Sequence, residues 1–168
     1  MTQSTMKHWL YGCKQWLYRD NRPNWIARGV NRAYALFFSS GLLPEYMATL
    51  EVKGRKSGRM ISFPVVVAVV NRERYLVSML GEQAQWVQNV RACGGKVAFL
   101  RHKREEVHLE EMPLEQRAPI LKAYLKCAPG ARPHMPVDKD APLADFEKIT
   151  ADFPVFHVLK AFSSPSKT

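Results

Sequence analysis

Two strand-like runs joined by a short basic turn place the tightest constraint on how this chain folds. Residues 47–53 and 60–70 are rich in apolar and β-branched side chains, and such runs bounded by turn residues predict strands. The residues that carry the turn between them are Gly54-Arg55-Lys56-Ser57-Gly58. Glycine at both ends permits tight-turn dihedrals and leaves backbone N–H groups uncovered. The pattern therefore predicts a β-hairpin.

The same turn has the composition of an anion site. Two cations and a hydroxyl lie between its glycines. Together with backbone N–H groups they offer fixed donors and positive charge to a phosphate or carboxylate. The turn is not a Walker loop, which needs glycine, four further residues and then Gly-Lys-Ser/Thr. The residues alone leave two interpretations open, an anion-binding turn and a solvated basic turn.

The remaining periodicity predicts an α+β fold, a small antiparallel barrel of about six strands with flanking helices. Further strands are predicted at about 74–79, 96–101, 104–112 and 155–159, with turns at 71–74 and 101–104. Helices are predicted at about 84–92, through 120–125 with Pro119 near the first turn, and at 143–150, with a long loop at 128–142. Closure into a barrel is favoured because it removes exposed strand edges. Pro64 lacks an N–H, so its strand should be an edge or be bulged there.

The first quarter of the chain is predicted to be a basic helical extension. Residues 1–44 hold six Lys/Arg against one acid, Asp20, so they contribute +5 of the formal net charge of +10. Their apolar side chains recur with helical spacing at 9–17 and 25–38. Such helices either pack on protein or lie in the headgroup layer of a membrane. The predicted organisation is an extension at 1–44, a barrel domain at 45–162 and a disordered tail at 163–168.

Composition and spacing exclude several classes of protein. No apolar run reaches the ~20 residues of a membrane span, and no secretory pattern is present. A cytoplasmic location is expected, with peripheral contact at the inner face of the membrane through residues 1–40. The three cysteines, Cys13, Cys93 and Cys127, form no CxxC pair and fit inert thiols in a reducing compartment. The five histidines show no metal-ligand spacing, so no metal site is expected.

An ordered combination of motifs, rather than any single one, resembles a known family. The motifs are the 54–58 turn, Pro64, Tyr75-Leu76-Val77-Ser78, Gly81, Trp86, Asn89 and Arg91-Ala92. Over about residues 45–160 the chain resembles the deazaflavin-dependent nitroreductases, a branch of the split β-barrel (FMN-binding-like) proteins. Residues 128–134 and 153–156 resemble a subgroup of that family. The resemblance implies that reduced coenzyme F-420, whose tail carries a phosphodiester and glutamates, passes a hydride to a quinone, a nitro compound or an activated double bond.

The resemblance also implies a set of site residues. The turn would bind the phosphate, the loop at 78–81 would run beside the deazaflavin ring, and the next helix would flank the cofactor. The implied cofactor-binding residues are Gly54, Arg55, Lys56, Ser57, Gly58, Pro64, Ser78, Met79, Leu80, Gly81, Trp86 and Asn89. The candidate catalytic donors to an acceptor oxygen that gains charge are Ser78, Tyr124 and His134. Trp86 is equally well interpreted as a core anchor, Tyr124 as a core residue and His134 as a loop support.

The chain departs from the family pattern in two places. Residues 61–63, Ile-Ser-Phe, supply no charge before Pro64, and the loop at 82–85 is short and lacks a proline. The glutamate tail would then meet Arg91, Lys96 or other cations.

Two other classes of function stay open from the sequence. A protein on the same barrel could bind FMN, FAD or haem, and the positive charge also suits a membrane-surface or nucleic-acid module. Nucleic acid is not the expected partner, because the chain has no helix-turn-helix signature and no basic residues interleaved with an exposed aromatic sheet. The expected partner is a small-molecule acceptor, and a homodimer is a candidate assembly.

Overall fold

Six strands and three α-helices make up the part of the chain that the structure describes. The computed structural model describes residues 46–101 and 103–161, and the predictions for 1–44 and for the tail at 163–168 lie outside it. The elements are β1 (Met47–Lys53), β2 (Met60–Val70), β3 (Glu73–Val77), α1 (Gln85–Ala92), β4 (Lys96–Leu100), β5 (Arg104–Glu111), α2 (Leu114–Cys127), a 3-10 helix (Pro129–His134), α3 (Leu143–Glu147) and β6 (Val155–Lys160). The strand bounds agree with the prediction to within two residues.

The six strands close into one antiparallel barrel. Their order around it is β1-β2-β3-β6-β5-β4, and β1 pairs with β4 to complete the circle. Every neighbouring pair is antiparallel. The predicted barrel with flanking helices is confirmed, and closure leaves this sheet without the free edge that an open sheet would expose.

Pro64 lies where β2 has only one neighbouring strand. The pairing of β1 with β2 runs without an inserted residue from Met47 opposite Val66 to Lys53 opposite Met60, so the bulge, one of the two predicted alternatives, is absent there. Pairing with β3 begins only at Val67. The stretch around Pro64 is therefore edge-like on one side, and no neighbour there needs the N–H that proline lacks.

Alternate residues of the strands fill the lumen of the barrel. Leu50, Leu76 and Phe156 are at most 1% exposed and share one buried cluster with Phe99 and Val107. We call this set, with its neighbours, the lumen cluster. Because successive strand residues point to opposite faces, this apolar alternation fixes the register of each strand.

A second apolar cluster lies between the barrel and α2. Leu121 and Leu125 on α2 are fully buried and pack with Ala68 on β2 and Phe146 on α3. We call it the outer cluster. Ala68 directly follows Val67, which belongs to the lumen cluster, so β2 is buried on both faces where α2 crosses it.

β2 and β3 are joined by the two-residue loop Asn71-Arg72. Both residues have positive φ, 52° and 68°, which a type I′ hairpin turn requires and which suits the twist of the strands. The loop is tighter than the predicted turn at 71–74, because β3 already begins at Glu73.

Three helical predictions need correction. Pro119 is the sixth residue of α2 rather than a first-turn residue. Its missing N–H leaves the carbonyl of Glu115 unpaired, and Glu115 is exposed, so water can serve that carbonyl. The predicted loop at 128–142 contains a 3-10 helix, and the helix predicted at 143–150 ends at Glu147. None of the helices in the described ranges is long and apolar enough to cross a membrane.

Candidate functional site

Strand directions bring three predicted parts of the site to one end of the barrel. β1 leads into residues 54–59 and β2 leads away from them. β3 runs antiparallel to β2, so the loop at 78–84 that follows it lies at that same end. α1 begins directly after this loop. We call this end, formed by 54–59, 78–84 and α1, the turn end.

Backbone hydrogen bonds hold the basic turn closed. The Gly54 N–H donates to the Arg59 carbonyl and the Gly58 N–H donates to the Gly54 carbonyl, both at 2.8 Å. Gly58 has a φ of 67°, a left-handed conformation that favours glycine. The Arg59 N–H donates to Ser57 Oγ at 3.3 Å, so the hydroxyl proton of Ser57 remains for another acceptor. The turn is thus held closed by its own backbone groups, and it presents the exposed side chains of Lys56 and Ser57.

Gly54 is needed for space rather than for its dihedrals. A Cβ atom at this position would lie 2.9 Å from Ile61 Cδ1 and from Ser57 Oγ, and 3.3 Å from the Arg59 carbonyl oxygen. The side-chain ends of Ile61 and Ser57 could turn away from it, whereas the Arg59 carbonyl belongs to the backbone and would have to shift. Gly54 therefore provides space within the turn, whereas Gly58 provides its left-handed backbone conformation.

Asn89 fastens the turn to α1. It is 5% exposed, and its Oδ1 accepts hydrogen bonds from the Arg55 backbone N–H and from Arg55 Nη1, both at 3.1 Å. Arg55 Nη1 also donates to Gln85 Oε1 at 3.2 Å. Both acceptors are neutral amides, so they orient the guanidinium without cancelling its charge. Two predicted site residues, Arg55 and Asn89, are thus in direct contact.

The cations of the turn have no acidic partner within residues 46–101 and 103–161. Arg55, Lys56 and Arg59 are exposed, and none of them is in an ion pair there. The arginines in these ranges that do pair with glutamate are Arg74, Arg91, Arg104 and Arg117. An anion that reaches the turn would therefore meet positive charge that no carboxylate from this part of the chain already offsets.

Two substitutions of Asn89 are expected to distinguish the attachment of the turn to α1 from the effect of the positive charge on the turn. Asn89→Ala removes the acceptor for two Arg55 hydrogen bonds and should lower the free energy of unfolding by about 1–3 kcal/mol. Asn89→Asp keeps the acceptor but adds a negative charge beside Arg55, so stability should be kept while affinity for an anionic ligand falls. Urea unfolding and a ligand titration on both variants measure the two effects. Unchanged ligand affinity in Asn89→Asp would contradict anion binding at this turn.

The loop after β3 is closed by the side chain of Ser78. Ser78 is fully buried, and its Oγ donates to the Gly81 carbonyl at 2.8 Å. The Gly81 N–H donates back to the Ser78 carbonyl at 3.1 Å. Gly81 has a φ of 77°, and a Cβ there would lie 3.1 Å from the Asp152 carbonyl oxygen. The Ser78 hydroxyl, which is predicted to donate to the oxygen of the hydride acceptor, is therefore already used to fix the loop.

Leu80 and Trp86 pack against the lumen cluster, whereas Met79 packs in the outer cluster. The Trp86 ring lies 5.4 Å from that of Phe156 and 6.4 Å from that of Phe63, measured between centroids. The core-anchor interpretation of Trp86 therefore has direct support. Trp86 is also partly exposed, so some of its indole surface stays accessible at the turn end.

Arg91 ties the loop at 78–84 to β5. Its Nη1 donates to Glu82 Oε2 and its Nη2 donates to Glu111 Oε1, both at 2.7 Å. The Arg91 hydrogen bond holds the pKa of Glu82 below its usual value. Arg91 is a predicted cation for the acidic tail, but in the structure it pairs with two carboxylates instead. Nothing in the spacing of these residues signalled that pairing.

Three predicted site residues lie in other parts of the fold. Tyr124 is 4% exposed within the outer cluster, and burial raises the pKa of its hydroxyl well above the usual value. His134 is the last residue of the 3-10 helix and is partly buried. Pro64 stands opposite Thr49 in the middle of β2. The structure brings the turn, the 78–81 loop, Trp86 and Asn89 to one end, and these three residues are not part of that grouping.

The described ranges contain no group of three or more His, Cys, Asp or Glu placed to hold a metal ion. Cys93 and Cys127 are free and partly buried thiols, and burial raises the pKa of Cys127. Cys13 lies outside the described residues.

Comparison with solved structures identifies the fold as a split β-barrel. A protein solved as a domain-swapped dimer is 20% identical with a TM-score of 0.50, covering 80% of this chain and 97% of that chain. A conserved hypothetical protein from Mycobacterium tuberculosis is 13% identical with a TM-score of 0.51, covering 74% and 79%. An F-420-H2-dependent reductase is 24% identical and covers 69% and 96%, with a TM-score of 0.44 that is too low to add to this conclusion. The sequence matches no family model and no curated protein.

Proposed function

We propose that this protein is an oxidoreductase that uses reduced deazaflavin coenzyme F-420 to reduce a quinone, a nitro compound or an activated double bond. The observation that supports this most is the turn at 54–58, fixed to α1 by Asn89 while its cations have no acidic partner in the described ranges. Such a turn is organised in advance for a phosphodiester.

The residues present fit the acidic tail of this coenzyme. Lys56 offers a point charge, Ser57 a hydroxyl proton and Arg55 a guanidinium fork to the phosphate. Lys53 and Lys96 lie at adjoining ends of β1 and β4, and neither forms an ion pair within the described residues. We therefore assign the tail glutamates to these two lysines.

The 78–81 loop and Trp86 would hold the flat ring. The hydrogen bonds between Ser78 and Gly81 fix the backbone of this loop before a ligand arrives, which lowers the entropic cost of binding. Leu80 and Trp86 supply apolar surface and exclude water from it. When bound, the reduced deazaflavin supplies the hydride, and the chain supplies orientation and electrostatics.

As the substrate receives the hydride, negative charge develops on its oxygen. A hydrogen-bond donor beside that oxygen would stabilise the charge by about 2.7–4 kcal/mol, as in comparable sites. The Ser78 proton is used within its loop, and Tyr124 is buried in the outer cluster. His134, the third predicted donor, has an interaction partner of its own and lies outside the turn end. Unchanged turnover in a His134→Gln variant would exclude it.

Lys56→Ala is expected to weaken binding of F-420 by about 1–3 kcal/mol, because it removes a charge-assisted contact to the phosphate. Fluorescence titration of the coenzyme measures the change. Lys126→Ala is the matched control, since Lys126 is an exposed cation on α2 and away from the turn. Equal affinity in wild type and Lys56→Ala would remove this lysine from the site.

The activity itself is tested by mixing the purified protein with reduced F-420 and menadione and following the absorbance of the oxidised coenzyme. Turnover supports the proposal, and absence of turnover with every quinone and nitroarene tried, together with absence of binding, contradicts it.

A flavin- or haem-binding protein on the same barrel is the second candidate, because the turn would also suit the phosphate of FMN or FAD. A visible flavin or haem spectrum on purification would favour it. We also propose a homodimer as the assembly, which sedimentation velocity tests.

A further inference from the structure

The end of the barrel opposite the turn end carries an unusual ring of charge. We call it the far mouth; it is formed by the starts of β1, β3 and β5 and the ends of β2, β4 and β6. Towards this end of the barrel, the inward-facing strand positions change from apolar to charged residues. Arg74, Arg101, Glu105 and Lys160 each lie two residues beyond a buried lumen residue, namely Leu76, Phe99, Val107 and Val158. Since strand side chains alternate, these four share the inward parity.

A cavity opens within this mouth. Its volume is about 80 Å³, and its apolar lining is Met47, Ala48, Val67 and Phe99. Because about 10–15 Å³ suffices for one water, the cavity admits a small organic group. The charged lining consists of Arg74, Arg101, Lys103 and Glu105, and Arg101 has an interaction partner of its own.

The single carboxylate of the cavity is already used. Glu105 accepts from Arg74 Nη1 at 2.9 Å and from Arg74 Nη2 at 2.7 Å, and the Arg74 guanidinium stands 5.8 Å from the centre of the Phe99 ring. These hydrogen bonds lower the pKa of Glu105, and the charge of Lys160 lowers it further. Lys160 stands opposite Val107 on β5, two residues from Glu105, and lines the neighbouring hollow together with Arg74.

Within the described part of the chain, Lys103 and Lys160 have no such partner. Both are exposed, and neither is in an ion pair with a residue of 46–101 or 103–161. Glu73 lies beside Arg74 and Lys160 at this end, so the cations Arg74, Lys103 and Lys160 exceed the carboxylates Glu73 and Glu105 by one, and an anion from solution would offset that excess. The apolar floor in turn favours a ligand with a hydrocarbon part, because that part leaves water on binding.

We propose that the far mouth binds a small organic carboxylate, whose charged end meets Lys103 and Lys160 beside Arg74 and whose hydrocarbon part contacts Phe99. This site is separate from the turn end, because β1 runs from Met47 at the far mouth to Lys53 at the basic turn. The proposal therefore stands or fails independently of the coenzyme.

Calorimetric titration of the full chain with butyrate tests this site. Two matched probes are 1-butanol, which has the carbon chain without the charge, and inorganic phosphate, which has charge without the chain. We expect saturable 1:1 binding of butyrate, with affinity at least tenfold above that of either probe. The double variant Lys103→Gln, Lys160→Gln should lose at least tenfold in butyrate affinity, and both positions are exposed, so folding should be kept.

Lys126→Gln and Lys56→Ala should leave butyrate affinity unchanged, which distinguishes the far mouth from general surface charge and from the turn end. Butyrate binding that does not saturate, or that survives in the double variant, would overturn the site. Phosphate binding as tight as butyrate would overturn the assignment to an organic carboxylate.

Discussion

Replacing Arg117 by methionine is expected to lower the free energy of unfolding by about 1–3 kcal/mol for each of the two backbone carbonyls that lose its hydrogen bonds. The Arg117 side chain is 7% exposed and its Nη2 donates to Glu111 Oε1 at 3.0 Å. Its Nε donates to the Met112 carbonyl at 2.9 Å and its Nη1 to the Thr150 carbonyl at 3.0 Å. Methionine keeps the apolar stem but leaves two backbone carbonyls without this donor, and unsatisfied buried groups are costly. Glu111 keeps its pair with Arg91.

Urea unfolding of the full chain measures this loss. Lys148→Met is the matched control, because it also replaces a cation by methionine but breaks only the exposed pair with Asp145 at the end of α3. Lys148→Met should change the free energy of unfolding by no more than about 0.5 kcal/mol, as for other ion pairs on helix surfaces. A similar loss in both variants would show that Arg117 does not act as a buried anchor.

Trp86→Ala is expected to lower the free energy of unfolding by about 3 kcal/mol, the lower end for a large aromatic residue because Trp86 is partly exposed. The substitution removes the ring contacts with Phe63 and Phe156. If the indole also flanks the coenzyme, as we propose, F-420 affinity should fall in the fraction that remains folded.

Trp86→Phe separates these two roles. Phenylalanine restores most of the aromatic packing, so stability should return towards the wild-type value while coenzyme affinity stays reduced. Urea unfolding gives the stability, and fluorescence titration below the unfolding midpoint gives the affinity. Full affinity in both variants would leave Trp86 as a core anchor only.

The barrel could be predicted because its signals are local. β-branched alternation marks the strands, and the glycine-bounded turn at 54–58 fixes where the first hairpin reverses. The lumen and outer faces of β2 follow from residue parity once one face is assigned. The shape of the loop at 71–72 was harder to predict from the sequence. Asn71 and Arg72 are both non-glycine residues at positive φ, a conformation that few such residues adopt.

Contacts between distant elements could not be predicted. Arg55 and Asn89 are 34 positions apart, and only the closed barrel shows that Asn89 faces the turn. The pairing of Arg91 with Glu82 and Glu111 is of the same kind, because charge spacing along a chain does not specify which ends of strands meet.

The use of Ser78 illustrates what local chemistry could have shown. Its hydroxyl donates to the carbonyl of Gly81, three residues on, and such bonds from serine to nearby backbone are common in loops. The sequence places Ser78 in the loop after β3. The predicted role of its hydroxyl, as a hydrogen-bond donor to the oxygen of the hydride acceptor, overlooked this competing bond.

Fluorescence titration of the protein with F-420, set beside an identical titration with FMN and repeated on Asn89→Asp, tests the central assignment most directly. Saturable F-420 binding tighter than that of FMN, and weakened by the added carboxylate next to Arg55, is the predicted result. Tighter binding of FMN, or F-420 binding indifferent to Asn89→Asp, would contradict it.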